Sequence, residues 1–354
     1  MRTVIGAAAA AVVCVAALSA CATASQRLPL PASTPLPGGM PGHYVVVSGR
    51  EAVVRASGDG HATGSVTIPG AAGTPRAFAA GEAFGGADGQ HFVIALSRGG
   101  DLPGVADVTL FRLTVSPDGR PGQLGRLDFD STGMPVTGAA LSPDGKMLAV
   151  SLIHEFPPGE ALYGSVEVIN VMTGATRTWT GRGAPGSWPG VPSWAGDGTV
   201  VVPWWHSGSQ SMIPAAIAGV RELDLAAPGG SLLTARLAAF PTPVPGLESA
   251  MIAPGGDVIA SSCRAGPRPG TATARIVELS AADGRVVRVL GTQTSRFRTE
   301  ADVQDAIFAT CRVLSVAGGG HVLVQAFTFG RIGDGIFTSL PGTSPDVLPV
   351  SAAW

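Results

Sequence analysis

The sequence predicts an all-β fold assembled from repeated four-stranded units, and three observations predict it. Gly and Pro are abundant, at 50 and 29 of 354 residues, a density of helix breakers that a helical bundle does not tolerate. Runs of four to eight β-branched and other apolar residues are bounded by Gly, Pro, Asp and Ser, which is the pattern of strands and tight turns. Turn pairs ahead of a hydrophobic run recur at Asp88-Gly89, Asp144-Gly145, Asp197-Gly198, Gly255-Gly256 and Gly319-Gly320, every 53 to 64 residues. The bulk numbers agree. Hydrophobic residues make up 45% of the chain and charged ones 14%, enough for a sizeable core and too little charge for a disordered polyelectrolyte. A net charge of −2, with Lys146 the single lysine, leaves no nucleic-acid footprint.

Taken in chain order, the first element is an address. Arg2 precedes the uncharged stretch Val4 to Leu18, whose length suits a signal h-region rather than a membrane span. The tetrad Leu18-Ser19-Ala20-Cys21 resembles the lipobox of bacterial lipoproteins. That resemblance implies removal of residues 1–20, acylation of the Cys21 thiol by diacylglycerol, and attachment to the outer side of the cell membrane without a spanning helix. No later segment offers eighteen uninterrupted apolar residues, so no further crossing is expected. Residues 21–42 hold prolines at 29, 31, 35, 37 and 41 amid small and polar residues. Such a segment buries little and serves as an extended tether.

The folded body is expected over residues 43–354. Its clearest unit is Val136 to Gly181, in which four strand patterns are joined by turns at Asp144-Gly145 and Thr173-Gly174, pairs that supply positive φ. Four-stranded repeats at this period, each needing neighbours to cover its faces, make a β-propeller. The count is about six blades, with seven as the alternative. His43 to Ile68 carries three strand patterns, and Val347 to Trp354 is expected to supply the fourth and close the ring. The segment Leu141-Ser142-Pro143-Asp144-Gly145-Lys146-Met147-Leu148-Ala149-Val150 resembles the blade signature of TolB-type and WD-repeat-like propellers. The Trp-Asp dipeptide of true WD repeats is absent, so no partner is carried over from them.

Alternating strand direction puts the loops between second and third strands on the same face as the inter-blade connections, with the Asp-Gly turns opposite. The first face holds the longer loops, which is where binding residues usually sit on a rigid scaffold. On or beside those loops lie His154, Glu155, Tyr163, Trp188, Trp205 and His206, an aromatic and imidazole set suited to ligand recognition. Of the neighbours Trp204 and Trp205, strand alternation expects one in the core and one outside it.

Catalytic signatures are weak. His154-Glu155 is followed by Pro157-Pro158, which blocks the helix that a His-Glu-x-x-His zinc site requires. Asp128, Asp130 and Gly133 start like a calcium loop, but Thr132 and Ala139 stand where stronger ligands belong. No catalytic residue, cofactor or metal is expected. Cys263 and Cys311 fall at the loop-rich ends of neighbouring blades, and in an exported chain they are expected to pair. The resulting expectation is a monomeric, lipid-anchored, extracytoplasmic propeller that binds an envelope protein or a small ligand through its long-loop face. The alternative is a propeller enzyme, lactonase-like or another hydrolase, with its site on the central axis.

Overall fold

The structure, a computed structural model, describes residues 40–354 apart from 49–50, 70–78, 87–88, 100–105, 130–135, 155–162, 185, 196–197, 207–215, 254–255, 304–310, 318–320, 334–335 and 341–350. Cys21 and the signal peptide, most of the tether, Glu155, and the turn residues Asp88, Asp197, Gly255, Gly319 and Gly320 lie outside the described residues.

Among the described residues the blades number six, not seven. Blade 1 consists of His43–Ser48, Glu51–Ala56 and Ala62–Thr67, completed on its inner side by Ser351–Ala353, which pairs antiparallel with the first of them. The C-terminus therefore closes the ring. Blade 2 is Ala79–Gly85, His91–Gly99, Ala106–Thr114 and Gly125–Arg126. Blade 3 is Val136–Leu141, Met147–His154, Tyr163–Asn170 and Thr176–Thr180. In blade 4 the inner edge is split into Ser187–Pro189 and Ser193–Trp194, both paired with Thr199–His206, and Ala216–Asp224 and Arg236–Ala239 follow. Blade 5 is Ser249–Ile252, Val258–Ala265, Thr271–Leu279 and Val286–Arg296. Blade 6 is Cys311–Val316, Val322–Ala326, Thr328–Gly333 and Ile336–Ser339.

Each blade buries both faces, and this is why its central strands read as unbroken apolar runs rather than alternating ones. Successive residues of His91–Gly99 enter two different cores: Phe92, Ile94 and Leu96 pack against blade 1, whereas Val93 and Ala95 pack against blade 3. Six such cores fill the six gaps of the ring, the last joining Leu323 of blade 6 to Tyr44 and Trp354 of blade 1. The innermost strands crowd the axis, so they are rich in small residues such as Ala139, Ala140, Ala250 and Ala352.

Two boundaries depart from one strand per apolar run. The segment Ser231 to Leu237 is divided. Gly229–Ser231 instead pairs parallel with the outer strand of blade 3, and Arg236–Ala239 takes the blade 4 position. An open strand edge recruits any segment that can satisfy its backbone, and Gly229 fits because a Cβ there would lie 2.5 Å from the Thr178 carbonyl. The connection from blade 5 to blade 6 begins late: strand Val286–Arg296 runs on to Arg296, and among the described residues that follow, 300–303 are helical.

The two ends of the ring differ in build. One end carries tight turns such as Ser142 to Gly145, where Ser142 Oγ donates to Asp144 Oδ1 at 2.6 Å and Gly145 has φ 69°. Asp59, Asp118, Asp144 and Asp283 sit in turns of this end, each facing a basic side chain of its own turn, namely His61, Arg120, Lys146 and Arg285. Hydrogen bonds from the same turns hold all four carboxyls below the usual range. We call this the turn face and the opposite end the loop face. Met40 and Pro41 enter at the turn face, where Pro41 joins Gly85, Leu141, Trp194, Ile252 and Trp354 around the axial hollow.

Candidate functional site on the loop face of blades 3 and 4

The second strand of blade 3 ends at His154 and the third begins at Tyr163, so the intervening loop leaves the two opposite each other across the sheet. Their rings stack with centroids 4.5 Å apart and planes 6° from parallel. His154 Nε2 lies 2.6 Å from Ser165 Oγ. Ser165 is buried, so this contact fixes the imidazole rather than presenting a nucleophile. Burial also holds the His154 imidazole below its ordinary pKa range, because desolvation disfavours the cation. The ring is therefore neutral at neutral pH.

Blade 4 adds the other half. Its inner strand starts beside Tyr163, with Tyr163 and Ser187 in parallel register, and this close approach needs Gly164, where a Cβ would lie 2.8 Å from the Trp188 Cα. Ser187 Oγ lies 2.9 Å from His206 Nδ1, and His206 is exposed at the end of its strand. Arg182, in the connection between the blades, places its guanidinium carbon 5.9 Å from the centre of the Tyr163 ring, a cation–π distance. The result is a contiguous cluster of His154, Tyr163, Arg182 and His206 over two serines. It offers a flat π surface, a fixed positive charge and an imidazole open to solvent, a chemistry complementary to an anionic or planar group.

Of the residues singled out in the sequence, the structure thus brings together His154, Tyr163 and His206. Trp188 and Trp205 are also adjacent, directly opposite each other in register, but both are 5% exposed and belong to the core between blades 4 and 5. They offer no surface, and they point to the opposite face of the sheet from the adjacent Ser187–His206 pair. Trp204 is buried as well, in the core between blades 3 and 4. Alternation does send Trp204 and Trp205 to opposite sides, yet both sides of a propeller blade are interior, so the expectation of one outward indole fails. Sequence reasoning missed Arg182, Ser165 and Ser187: strand pairing within blade 3 brings Ser165 to His154 and Arg182 to Tyr163, and the pairing of blades 3 and 4 brings Ser187.

Cys263 and Cys311 form a disulfide with a Cα–Cα distance of 6.1 Å, linking blades 5 and 6 near the loop face. Beside it, Ser261 Oγ donates to the Cys311 carbonyl at 3.0 Å and Ser249 Oγ accepts from the Val313 amide at 2.6 Å. Among the described residues no group of three or more His, Cys, Asp or Glu side chains stands in metal-binding arrangement, and no helix is long and apolar enough to cross a membrane.

No protein-family model matches the chain, and no curated protein matches its sequence. Solved structures do resemble it. The Dos1 propeller aligns at TM-score 0.37 and 10% identity over 84% of this chain, and the periplasmic gluconolactonase of Pseudomonas aeruginosa at 0.42 and 13% over 88% of this chain and 99% of its own. Prolyl oligopeptidase B from Galerina marginata aligns at 0.43 and 12% over 85%. What they share with this chain is the β-propeller fold. The chain spans 64% of the Dos1 propeller structure and 42% of the oligopeptidase.

Proposed function

We propose that the chain is a lipid-anchored extracytoplasmic propeller that captures a partner on its loop face, at the His154, Tyr163, Arg182 and His206 cluster, and is not itself a catalyst. The observation that carries this reading is the position of Met40 and Pro41 on the turn face. Cys21 precedes Met40 by 19 positions, a reach of at most about 65 Å. An anchor attached there joins the body at the end opposite the cluster, so the tether does not cover the cluster, which stays open to molecules of the envelope. The cluster suits capture rather than turnover, because its serines are buried beneath the imidazoles, away from any bound molecule, and no described carboxylate orients either imidazole as a base.

Two measurements test this. Cys21→Ser moves the protein from the membrane fraction to the soluble fraction of cells that express it; retention on the membrane would refute the anchor. A photoreactive amino acid at position 206 gives a discrete crosslinked species on intact cells, and the same group at position 146 on the turn face does not. Equal labelling from both positions would refute the assignment of the working face.

A further inference from the structure

We infer that the upper half of blade 5 is a binding surface for a phosphate-bearing polyanion. The inference stands on its own residues and does not require the cluster on blades 3 and 4 to bind anything.

Residues 264–302 contain seven arginines and four carboxylates, a local charge of +3 in a chain of net −2. At the turn-face end two of the arginines are neutralised, Arg285 by Asp283 and Arg288 by Glu278. Towards the loop face Arg264, Arg268, Arg275, Arg296 and Arg298 are exposed, and among the described residues their guanidinium groups have no hydrogen-bond or ion-pair partner.

Register gathers three of them on one side of the sheet. Arg264 is opposite Thr273, Thr273 is opposite Thr294, Arg275 is opposite Thr292, and Arg296 lies two residues beyond Thr294. Directly paired residues share a face, as do residues two apart, so these six side chains lie on the same one. Arg275 and Arg296 each stand about 7 Å along their own strand from the central threonine pair, within the reach of an arginine side chain. The Thr273 and Thr294 hydroxyls are 3.0 Å apart at the centre.

This is the face that packs against blade 4 lower down, where Val258, Ala260, Val277 and Leu279 fill the shared core. The other face stays apolar as far as Cys263, Ala272 and Ala274, against blade 6. The blade 4 side therefore changes from a dry interface to a Thr and Arg surface partway up the strands. No carboxylate stands on the polar half. The nearest described ones are engaged or turned inward: Glu300 Oε1 accepts the Gly270 amide at 2.9 Å, Asp302 Oδ2 accepts the Thr299 amide at 2.9 Å, and Glu248 is half-buried at the base of the inner strand.

Phosphate is the group this arrangement fits. A planar carboxylate presents its acceptor sites in one plane and takes a single guanidinium fork end-on, whereas a phosphate presents oxygens in several directions and accepts from several forks and hydroxyls together. Guanidinium groups on three adjacent strands, with two hydroxyls between them, surround such a group from three sides. The exposed Arg268 and Arg298 lie beyond, at the loop-face rim, where the next phosphates of a chain would run.

The test uses the mature protein and long-chain inorganic polyphosphate, with binding followed at several salt concentrations. Wild type is expected to bind in a salt-dependent manner, the Arg264→Gln/Arg275→Gln/Arg296→Gln variant at least 10-fold more weakly, and an Arg285→Gln/Arg288→Gln variant like wild type. Unchanged binding by the triple variant would overturn the site. A uronate polymer that binds as tightly as polyphosphate would overturn the choice of phosphate. If the triple variant melts below wild type, Arg275→Lys and Arg296→Lys are read instead; each retains the charge, loses the fork, and is expected to weaken binding about threefold.

Discussion

Gly85 lies directly against the main-chain carbonyl of Trp354, with no room for a Cβ between them. The contact joins the inner strand of blade 2 to the C-terminus that completes blade 1, and so it marks the seam at which the ring is closed. A side chain here must displace backbone. Gly85→Ala is expected to lower stability by about 2–4 kcal/mol, read as an earlier thermal transition. Gly125→Ala, at an exposed strand with nothing within 4 Å of the new methyl, should leave the transition in place or raise it slightly.

Trp205 packs its indole on Gly190 and sits in the core between blades 4 and 5. Trp205→Ala is expected to cost about 3–5 kcal/mol through the cavity it leaves, and to reduce binding only by unfolding the protein. Tyr163→Ala, by contrast, removes the exposed side of the cluster. It should abolish crosslinking from position 206 while denaturant titration shows a smaller loss of stability than for Trp205→Ala. The reverse ranking would place the working surface elsewhere.

The Cys263–Cys311 bond closes a separation of 48 residues, so its removal frees the unfolded chain and costs about 2–4 kcal/mol. Both sulfur-bearing residues are buried. Reductant added to the folded protein should therefore act slowly, at a rate set by opening of blades 5 and 6, and Cys263→Ala/Cys311→Ala should melt earlier without further response to reductant.

Two buried ionisable groups give opposite pH dependences. Burial holds His154 below the histidine range, so as pH falls past about 6.5 the unfolded chain binds the proton first and stability is lost. His154→Gln should flatten that part of the stability profile. Burial raises the Glu167 carboxyl above its usual range, so the unfolded chain ionises first as pH rises past about 4.3 and stability falls with rising pH. Glu167→Gln is then expected to raise the melting temperature at pH 7 and to change little at pH 4.

The turns at Gly89, Gly145 and Gly256, the six units and the closing role of the C-terminal segment were legible in the sequence. Each depends on local chemistry: glycine at a positive φ, as at Gly145, or a run of apolar residues long enough for one strand. The loop-face cluster was legible in part. His154, Tyr163 and His206 stand out by residue type, but Arg182, Ser165 and Ser187 are ordinary in a linear reading; the pairing of strands inside blade 3 makes Ser165 and Arg182 partners, and the start of blade 4 beside Tyr163 adds Ser187. The arginines of blade 5 were overlooked for a similar reason. They are spread over 33 positions from Arg264 to Arg296, and only strand register gathers them.

By itself, then, the sequence determined the class of fold, its repeat and where its turns must lie, because these follow from backbone preferences and the two-residue period of strands. Tertiary structure decided which side of a blade is interior, and it decided against an outward-facing Trp205. It also decided which polar groups meet, because that depends on how neighbouring blades pack and on the register shift between Ile276 and Val277, where the face shared with blade 4 passes from apolar to polar.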